Sequence, residues 1–363
     1  MESLSAIFPD APVYTSVYKP EKIPGRLRKL KVISSSVHRL PFFGIFSKQY
    51  TLIYPLIFEG FNLSGYDVVI SSTANFAKGI ITRPETLHIC YCHTPPRFLY
   101  HYETEVNRRK IGYLAPILAP VDSYFRVWDF NAAQRVDQFV TNSRHTALRI
   151  NKFYRRPAKV IYPPVRLSTF TPEPSAGNYF LIVSRLSYYK RIDLAIEACN
   201  RLKVPLKIVG MGKDRKRLEG LAGETVEFVG WVDDDDLSDY YRKCKAVLFP
   251  AQDDFGIVPV EAMGYGKPVI AFGMGGALET VIPGTTGEFF FKLTADSLAE
   301  VIEKFDPTKY YPEVCRKQAE KFSEEKFKRD FKKFVEETYQ GYPELVKDSS
   351  GNLKQRNPEY IRD

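Results

Sequence analysis

The chain is poor in cysteine, methionine and tryptophan, and it has no long apolar run. Its five cysteines, Cys90, Cys92, Cys199, Cys244 and Cys315, are an odd set without the spacing of a zinc site. That excludes a disulfide scaffold and fits a chain kept in a reducing compartment. The longest apolar stretch, residues 50–58, is interrupted by Pro55 and falls far short of the ~20 residues a spanning helix needs, so no integral membrane helix is expected. Glu2 follows Met1 where a secretory signal would carry a basic segment and an apolar one, so the expected location is cytoplasmic. What is present is balanced: 44% hydrophobic, 26% charged and 14% aromatic residues in a chain of 363. That composition belongs to a soluble globular protein, and at about 150 residues per domain it predicts two domains.

The formal net charge of +9 is unevenly spread. Residues 1–170 hold 23 basic and 11 acidic side chains, and the remainder of the chain is slightly acidic. A basic half suggests a polyanionic or membrane-surface partner. Arg26, Arg28, Lys29 and Lys31 lie near the apolar-aromatic residues 41–46, which suits lipid headgroups at the inner face of a membrane better than a base-reading groove. Peripheral contact with an anionic membrane is therefore expected, and no nucleic-acid partner.

Between residues 177 and 291, short apolar strand candidates alternate with helical patterns. Strands at 179–183, 206–209, 226–229, 246–249 and 269–272 lead into helices at 191–202, 213–221, 236–244, 259–263 and 278–282. This alternation predicts a parallel sheet with helices on both faces. The front half repeats the pattern with strands at 68–71, 87–92, 138–141 and 160–162. The fold class is thus α/β, with two doubly wound domains at 1–170 and 171–315, joined through Pro163, Pro164, Pro172 and Pro174. A charged amphipathic helix is expected over 316–339, within a C-terminal helical segment 316–345, followed by a flexible polar tail at 346–363.

In doubly wound sheets, ligands sit at the carboxyl ends of the strands. After the strand at 179–183 come Ser184-Arg185-Leu186 and then Lys190, just before a helix. Two cations at a helix N-terminus oppose its macrodipole, a poor choice for stability and a good one for sharing a diphosphate with the amides. Incidental surface charge is the plain alternative. Gly210-Met211-Gly212 would let a ligand approach the backbone. The strand at 226–229 runs into Gly230-Trp231 and then the aspartates 233–236, which before a helix read as caps rather than metal ligands. No metal or other cofactor is expected.

The most informative segment is Asp253-Asp254-Phe255-Gly256-Ile257-Val258-Pro259-Val260-Glu261-Ala262-Met263. Pro259 fits a first helical turn, which leaves Asp253 in a loop, the amides of Phe255, Gly256 and Ile257 at the helix mouth, and Glu261 one turn in. Carboxylates accept pairs of hydrogen bonds from sugar hydroxyls, and Gly256 removes a side chain that would block approach. Gly275-Gly276, Glu279, Gly284 and Gly287 predict another tight loop facing the same crevice.

Taken in order, Ser184-Arg185-Leu186 with Lys190, Phe255-Gly256-Ile257 with Glu261-Ala262-Met263, and Gly275-Gly276 with Glu279, Gly284 and Gly287 resemble the family-4 retaining glycosyltransferases of the GT-B fold. Ser64-Gly65-Tyr66-Asp67, Cys90-Tyr91-Cys92-His93-Thr94-Pro95, Asn142-Ser143 and Tyr162-Pro163-Pro164-Val165 are similar to the mannosyltransferase-like branch, so the resemblance covers nearly the whole chain. It implies two Rossmann-like domains facing a central cleft. It also implies retaining, metal-independent transfer of a sugar from a nucleotide-sugar donor, GDP-mannose favoured over a UDP-sugar, to a glycan or lipid-linked acceptor in cell-surface polysaccharide synthesis.

By the same resemblance Arg185 and Lys190 would neutralise the leaving diphosphate, Glu261 would hold the ribose, and Phe255, Gly256, Ile257 and Gly230 would line the donor. His93 and Asp253 would be the catalytic pair near the reacting sugar, although Asp253 is a methylene shorter than the glutamate of the family, so that Asp254 is expected to share its role if the loop does not move inward. Arg97 is a lesser candidate for the acceptor or phosphate side, and His145 reads as a surface residue. Arg166 stands where the family has an aspartate. Family members begin with a strand and a glycine-rich loop ahead of the helix read here over residues 2–8, so the resemblance also implies that a central strand is missing, through a misassigned start or truncation. Two other readings remain: a non-catalytic nucleotide-sugar-binding subunit and a GT-B sugar-nucleotide epimerase.

Overall fold

A computed structural model describes residues 1–20, 23, 27–28, 30–35, 52–104, 115–167, 177–342, 345–347 and 353–355. The back domain holds one sheet of six parallel strands: β7 (Phe180–Val183), β8 (Leu206–Val209), β9 (Val226–Gly230), β10 (Ala246–Phe249), β11 (Val269–Phe272) and β12 (Gly287–Phe290), in spatial order 12-11-10-7-8-9. The order reverses between β7 and β10, the place where doubly wound sheets bind ligands. Every residue of β10 and β11 is buried, as expected of strands covered by helices on both faces. One apolar layer packs Ile182, Ile208, Leu248 and Ile270 against the helices Ile192–Leu202 and Ala295–Lys304. The other packs Leu181, Val247 and Val269 against the helices Ile257–Gly264 and Pro312–Glu320.

The front domain has a four-stranded parallel sheet of β3 (Val68–Thr73), β4 (Leu87–Cys92), β5 (Gln138–Thr141) and β6 (Lys159–Val160). A separate parallel pair is formed by β1 (Val13–Thr15) and β2 (Val32–Ser34), two strands that the sequence patterns left undetected. The helix Ala115–Gln134 also escaped, because Pro120 sits inside it and an internal proline argues against a helix.

The C-terminal region departs from the expected division. Residues 316–339 are not one helix: Pro312–Glu320 ends before residues 321–323, and a second helix, Glu324–Gly341, starts with Ser323 as its cap, the hydroxyl accepting from the Lys326 amide. The first belongs to the back-domain core through Cys315, Ala319 and Phe322. The second returns to the front domain, where Phe327, Phe331 and Val335 pack on Leu87, Ile89 and Tyr91. A boundary at residue 315 therefore cuts a core helix from its domain, and the last helix is an integral part of the front domain. Leu345–Lys347, at the start of the segment 346–363 expected to be a flexible tail and including the last residue of the expected helical segment, pairs antiparallel with Leu353–Gln355; the rest of that tail lies outside the described residues. So do Pro172, Pro174, Arg26, Lys29 and residues 41–46, and with them most of the expected membrane patch.

One buried group in β4 makes stability depend on pH. His88 is fully buried, its Nε2 sits 2.8 Å from the Ser71 hydroxyl, and its Nδ1 has no protein partner. Loss of solvation pushes its pKa down to about 3 from an ordinary value of 6.5. Between those values the unfolded chain binds a proton there that the folded chain does not, so stability falls as pH drops below 6.5. The slope from this group approaches about 1.4 kcal/mol per pH unit. Denaturant unfolding at pH 6.5 and 5.0 is expected to show a clearly steeper loss in the wild type than in His88→Gln; equal losses would mean the imidazole protonates freely in the fold.

Candidate active site

The carboxyl edge of the back sheet gathers the charged residues singled out by sequence. β7 leads through Ser184 and Arg185 into a single 3-10 turn, Tyr188–Lys190, and Arg191 takes a left-handed conformation (φ +52°) before the next helix. This break presents Lys190 toward the loop after β10, where its Nζ lies 2.5 Å from Asp253 Oδ2. Arg185, exposed at the rim, donates to the Tyr189 hydroxyl at 2.8 Å. The Tyr189 ring also lies 5.3 Å from the Lys190 ammonium and 5.5 Å from the Arg97 guanidinium. Three cations thus meet at one tyrosine, Lys190 and Arg97 at the ring, where the π face favours a cation, and Arg185 at the hydroxyl.

Beyond Asp253 the chain turns into the helix Ile257–Gly264. Gly256 is its N-cap residue with φ +83°, a conformation glycine adopts at no cost. Ile257 is exposed at the helix mouth. The Phe255 side chain is 3% exposed and packs between Tyr162 and Phe322. Its ring therefore belongs to the core, where an aromatic side chain gains most, and the expectation for Phe255 rests on its amide at the helix mouth. Glu261, half-buried one turn in, accepts from the Tyr241 hydroxyl at 2.9 Å. Burial raises its carboxyl pKa, and the Tyr241 hydrogen bond acts in the opposite direction. Tyr241 itself is buried and stacked on Tyr265. Its role in fixing Glu261 was invisible in sequence, since only the fold brings the two helices together.

Two glycine loops serve the chain itself. A Cβ on Gly210 would come within 2.0 Å of the Ser184 carbonyl oxygen, and one on Gly212 within 2.1 Å of that of Leu186. The approach expected of a ligand there is made by the strand's own continuation. Gly230 (φ +91°) closes β9, its carbonyl accepting from the Gly210 amide at 2.7 Å. Gly276 lies against the Phe255 backbone, and its amide donates to the Asp253 carbonyl at 2.9 Å, which fixes the loop that carries Asp253. Asp233 caps the helix Asp234–Lys243 by accepting from the Asp236 amide.

The front domain faces this edge. His93 follows β4 at the cleft surface, and its Nε2 is 2.9 Å from the Ser72 hydroxyl. Its carbonyl accepts from Asn142 and its amide donates to the Thr73 carbonyl, so the backbone of His93 is fixed on both sides. Loss of solvation lowers its pKa, the chain's amino terminus lowers it further, and Asp254 opposes both. The imidazole is therefore neutral at pH 7.

Contacts across the cleft hold the two edges together. Asp254 pairs with Arg149, whose side chain is 4% exposed, and lies 3.9 Å from Arg97. Those partners commit Asp254 to the domain interface instead of to the role shared with Asp253. Glu279 accepts from the backbone amides of Arg144 and His145 at 2.9 and 3.1 Å and from the Tyr162 hydroxyl. It thus binds the N-terminus of the helix Arg144–Tyr154 from the opposite domain, where a carboxylate is favoured. His145, read as a surface residue, is half-buried in this contact. Arg166 ties the linker to Glu2 and Glu324. Among the described residues no helix is long and apolar enough to cross a membrane.

Comparison with known proteins agrees with this fold. Residues 167–322 match the family model described as Glycosyl transferases group 1. An uncharacterized glycosyltransferase of Methanocaldococcus jannaschii, MJ1178, is 28% identical over 215 residues, 57% of this chain and 61% of its own. The human alpha-1,3/1,6-mannosyltransferase ALG2 is 27% identical over 280 residues, 66% of this chain and 64% of its own. The chain thus spans less than two thirds of the length of these relatives. In structure, the Anabaena protein Alr3699/HepE, solved in complex with UDP-glucose, aligns with a TM-score of 0.67 at 18% identity, covering 93% of this chain and 94% of the other. The match to the glycosyl transferases group 1 model covers residues 167–322, and the chain as a whole has the two-domain GT-B fold.

Proposed function

We propose that the chain is a retaining, metal-independent glycosyltransferase of family 4. In this reading it moves a sugar, mannose favoured, from a nucleoside diphosphate to a glycan or lipid-linked acceptor in cell-surface polysaccharide synthesis. The observation that carries this reading is the contact between Lys190 and Asp253 beside the mouth of the helix Ile257–Gly264, with Arg185 at the rim. A cation suited to a diphosphate and a carboxylate suited to a sugar hydroxyl meet at one point, and Glu261 lies one turn deeper for the ribose.

During transfer the bond from the anomeric carbon to the phosphate oxygen breaks, and its electron pair leaves with the diphosphate. Arg185 and Lys190 take up that charge, the largest electrostatic demand of the reaction. The acceptor hydroxyl attacks the same face of the sugar and gives its proton to the departing phosphate oxygen. Neutral His93 and Asp253 hold the sugar hydroxyls. GDP-mannose is favoured because front-half motifs resemble the mannosyltransferase branch and because a relative is a mannosyltransferase; the UDP-glucose complex of Alr3699/HepE motivates a UDP-sugar as the alternative. The basic front half supports peripheral association with the cytoplasmic face of an anionic membrane, through contacts expected to weaken with salt over a screening length of about 8 Å.

Nucleotide release by the pure protein from a panel of GDP-, UDP- and ADP-sugars tests this reading. Turnover is expected with GDP-mannose. Nucleotide binding with no turnover of any donor would make the protein a non-catalytic subunit, and interconversion of the donor sugar would make it an epimerase.

A further inference from the structure

Arg149 lies on the helix Arg144–Tyr154 of the front domain, and its side chain is buried. A buried guanidinium needs both its charge and its N–H groups answered. Its Nε has no hydrogen-bond partner, so the bonding runs through the two terminal nitrogens. Nη1 donates to Asp254 Oδ1, and also to the Thr94 hydroxyl at 2.8 Å. Nη2 lies 3.4 Å from the Pro95 carbonyl oxygen, and the Tyr102 ring covers the guanidinium plane with its centre 3.8 Å from the central carbon. Thr94 follows His93, and Asp254 follows Asp253. One nitrogen, with two hydrogens to give, therefore bridges the immediate neighbours of two candidate site residues on opposite domains.

Both ends of the bridge are themselves held. The Thr94 hydroxyl donates its own proton to the Pro95 carbonyl at 3.1 Å, which leaves its lone pairs for Arg149. On the other side, the consecutive residues Asp253 and Asp254 turn to partners in different domains: Asp253 to Lys190 of the back domain, Asp254 to Arg149 and Arg97 of the front domain. The Gly276 amide fixes the same loop at the Asp253 carbonyl, and Arg97 reaches the Gln252 carbonyl at 3.5 Å. A displacement of Asp254 is thus carried directly into Asp253.

The helix that carries Arg149 is gripped a second time by the back domain, at its N-terminus, where Glu279 accepts from the amides of Arg144 and His145. The two grips lie about 6–8 Å apart along the helix axis at 1.5 Å per residue, which holds the helix against sliding past the back domain. Opening the cleft at this edge would strip a buried cation of its carboxylate, a strongly unfavourable step. The bridge therefore keeps the His93 loop and the Asp253 loop together before any donor arrives.

We infer that Arg149 is a positioning residue for sugar transfer: through its bridge from Thr94 to Asp254 it sets the His93 imidazole and the Asp253 carboxylate against the same sugar. The inference rests on the transferase reading above, in which those two side chains hold the sugar hydroxyls. It gives Arg149 no contact with the donor, so nucleotide binding at Arg185, Lys190 and Glu261 does not depend on the bridge. Transfer does, because a misplacement of about 1 Å at a reacting centre costs as much as about 100-fold in rate.

Arg149→Lys, Asp254→Asn and Thr94→Val in the full chain test this. Lysine keeps the charge but lacks the planar fork that spans two acceptors, and valine keeps the shape of Thr94 while removing the hydroxyl. Arg149→Lys and Asp254→Asn are each expected to lower kcat about 30- to 100-fold and Thr94→Val about 10-fold, with nucleoside diphosphate affinity within about twofold of wild type in all three. Because both substitutions break one bridge, the double variant Arg149→Lys with Asp254→Asn is expected to lose no more than either single one. Thr94→Val leaves the contact between the domains intact, so its loss separates positioning from cohesion of the domains, and it carries the test with Asp254→Asn if Arg149→Lys does not fold. Multiplicative losses in the double variant, wild-type kcat in Thr94→Val, or a loss of nucleotide affinity in place of kcat would overturn the inference. The His93 ring resonance, assigned by its disappearance in His93→Ala, is a readout that needs no turnover. It is expected to move in all three variants; a resonance unchanged in all of them would overturn the bridge even if the chain transfers sugar, whereas a shifted one in a chain that turns over no donor would overturn the transferase reading and leave the bridge standing.

Discussion

Lys190→Ala and Arg185→Ala are each expected to weaken nucleoside diphosphate binding by one to two decades in affinity, with the fold intact. A hydrogen bond to a charged group contributes about 1.5–3 kcal/mol, and both side chains sit at the edge of the sheet, outside its core. The structure adds a sign that sequence did not provide. Lys190 is already neutralised by Asp253, so Asp253→Asn, which removes the competing negative charge, is expected to leave diphosphate affinity unchanged or to raise it. Calorimetry with GDP and UDP checks all three; unchanged affinity in both cation variants would remove those residues from the site.

The second large effect is expected at His93. His93→Ala is expected to bind donor normally and to transfer sugar 10²- to 10³-fold more slowly, the usual consequence of losing one preorganised group at a developing charge. Ser72→Ala, which removes the hydroxyl at the ring nitrogen, is expected to lose a smaller part of kcat with the same donor affinity. Because the histidine pKa lies below its ordinary value, the rate is expected to stay flat through pH 7 and to fall only on the acid side of 6.5. Wild-type turnover by His93→Ala would return this residue to a structural role.

The back domain was legible because each strand and helix there is a short, locally complete pattern: 206–209, 246–249 and 269–272 are strands at the residues read from sequence. What escaped depends on residues far apart in the chain. Glu279 meets the amides of Arg144 and His145, and Asp254 meets Arg149, pairings that no local spacing encodes. Tyr189 looked like an ordinary aromatic before a helix, yet it stands among Arg97, Arg185 and Lys190. Phe255 was read through its amide at the helix mouth, and that its ring belongs to the core was not legible, since the partners Tyr162 and Phe322 lie far away in the chain. The final helix was drawn too long because its charge pattern continues through residues 321–323, where only the Ser323 cap marks the new start.

The central claim is that the edge of the back domain divides the donor, with its nucleotide end at Glu261 and its sugar end at Asp253. Paired calorimetry and transfer assays on Glu261→Gln and Asp253→Asn test it most directly. The account predicts that Glu261→Gln loses affinity for plain nucleoside diphosphate, whereas Asp253→Asn keeps that affinity and loses sugar transfer. Equal loss of nucleotide binding in the two variants would contradict it.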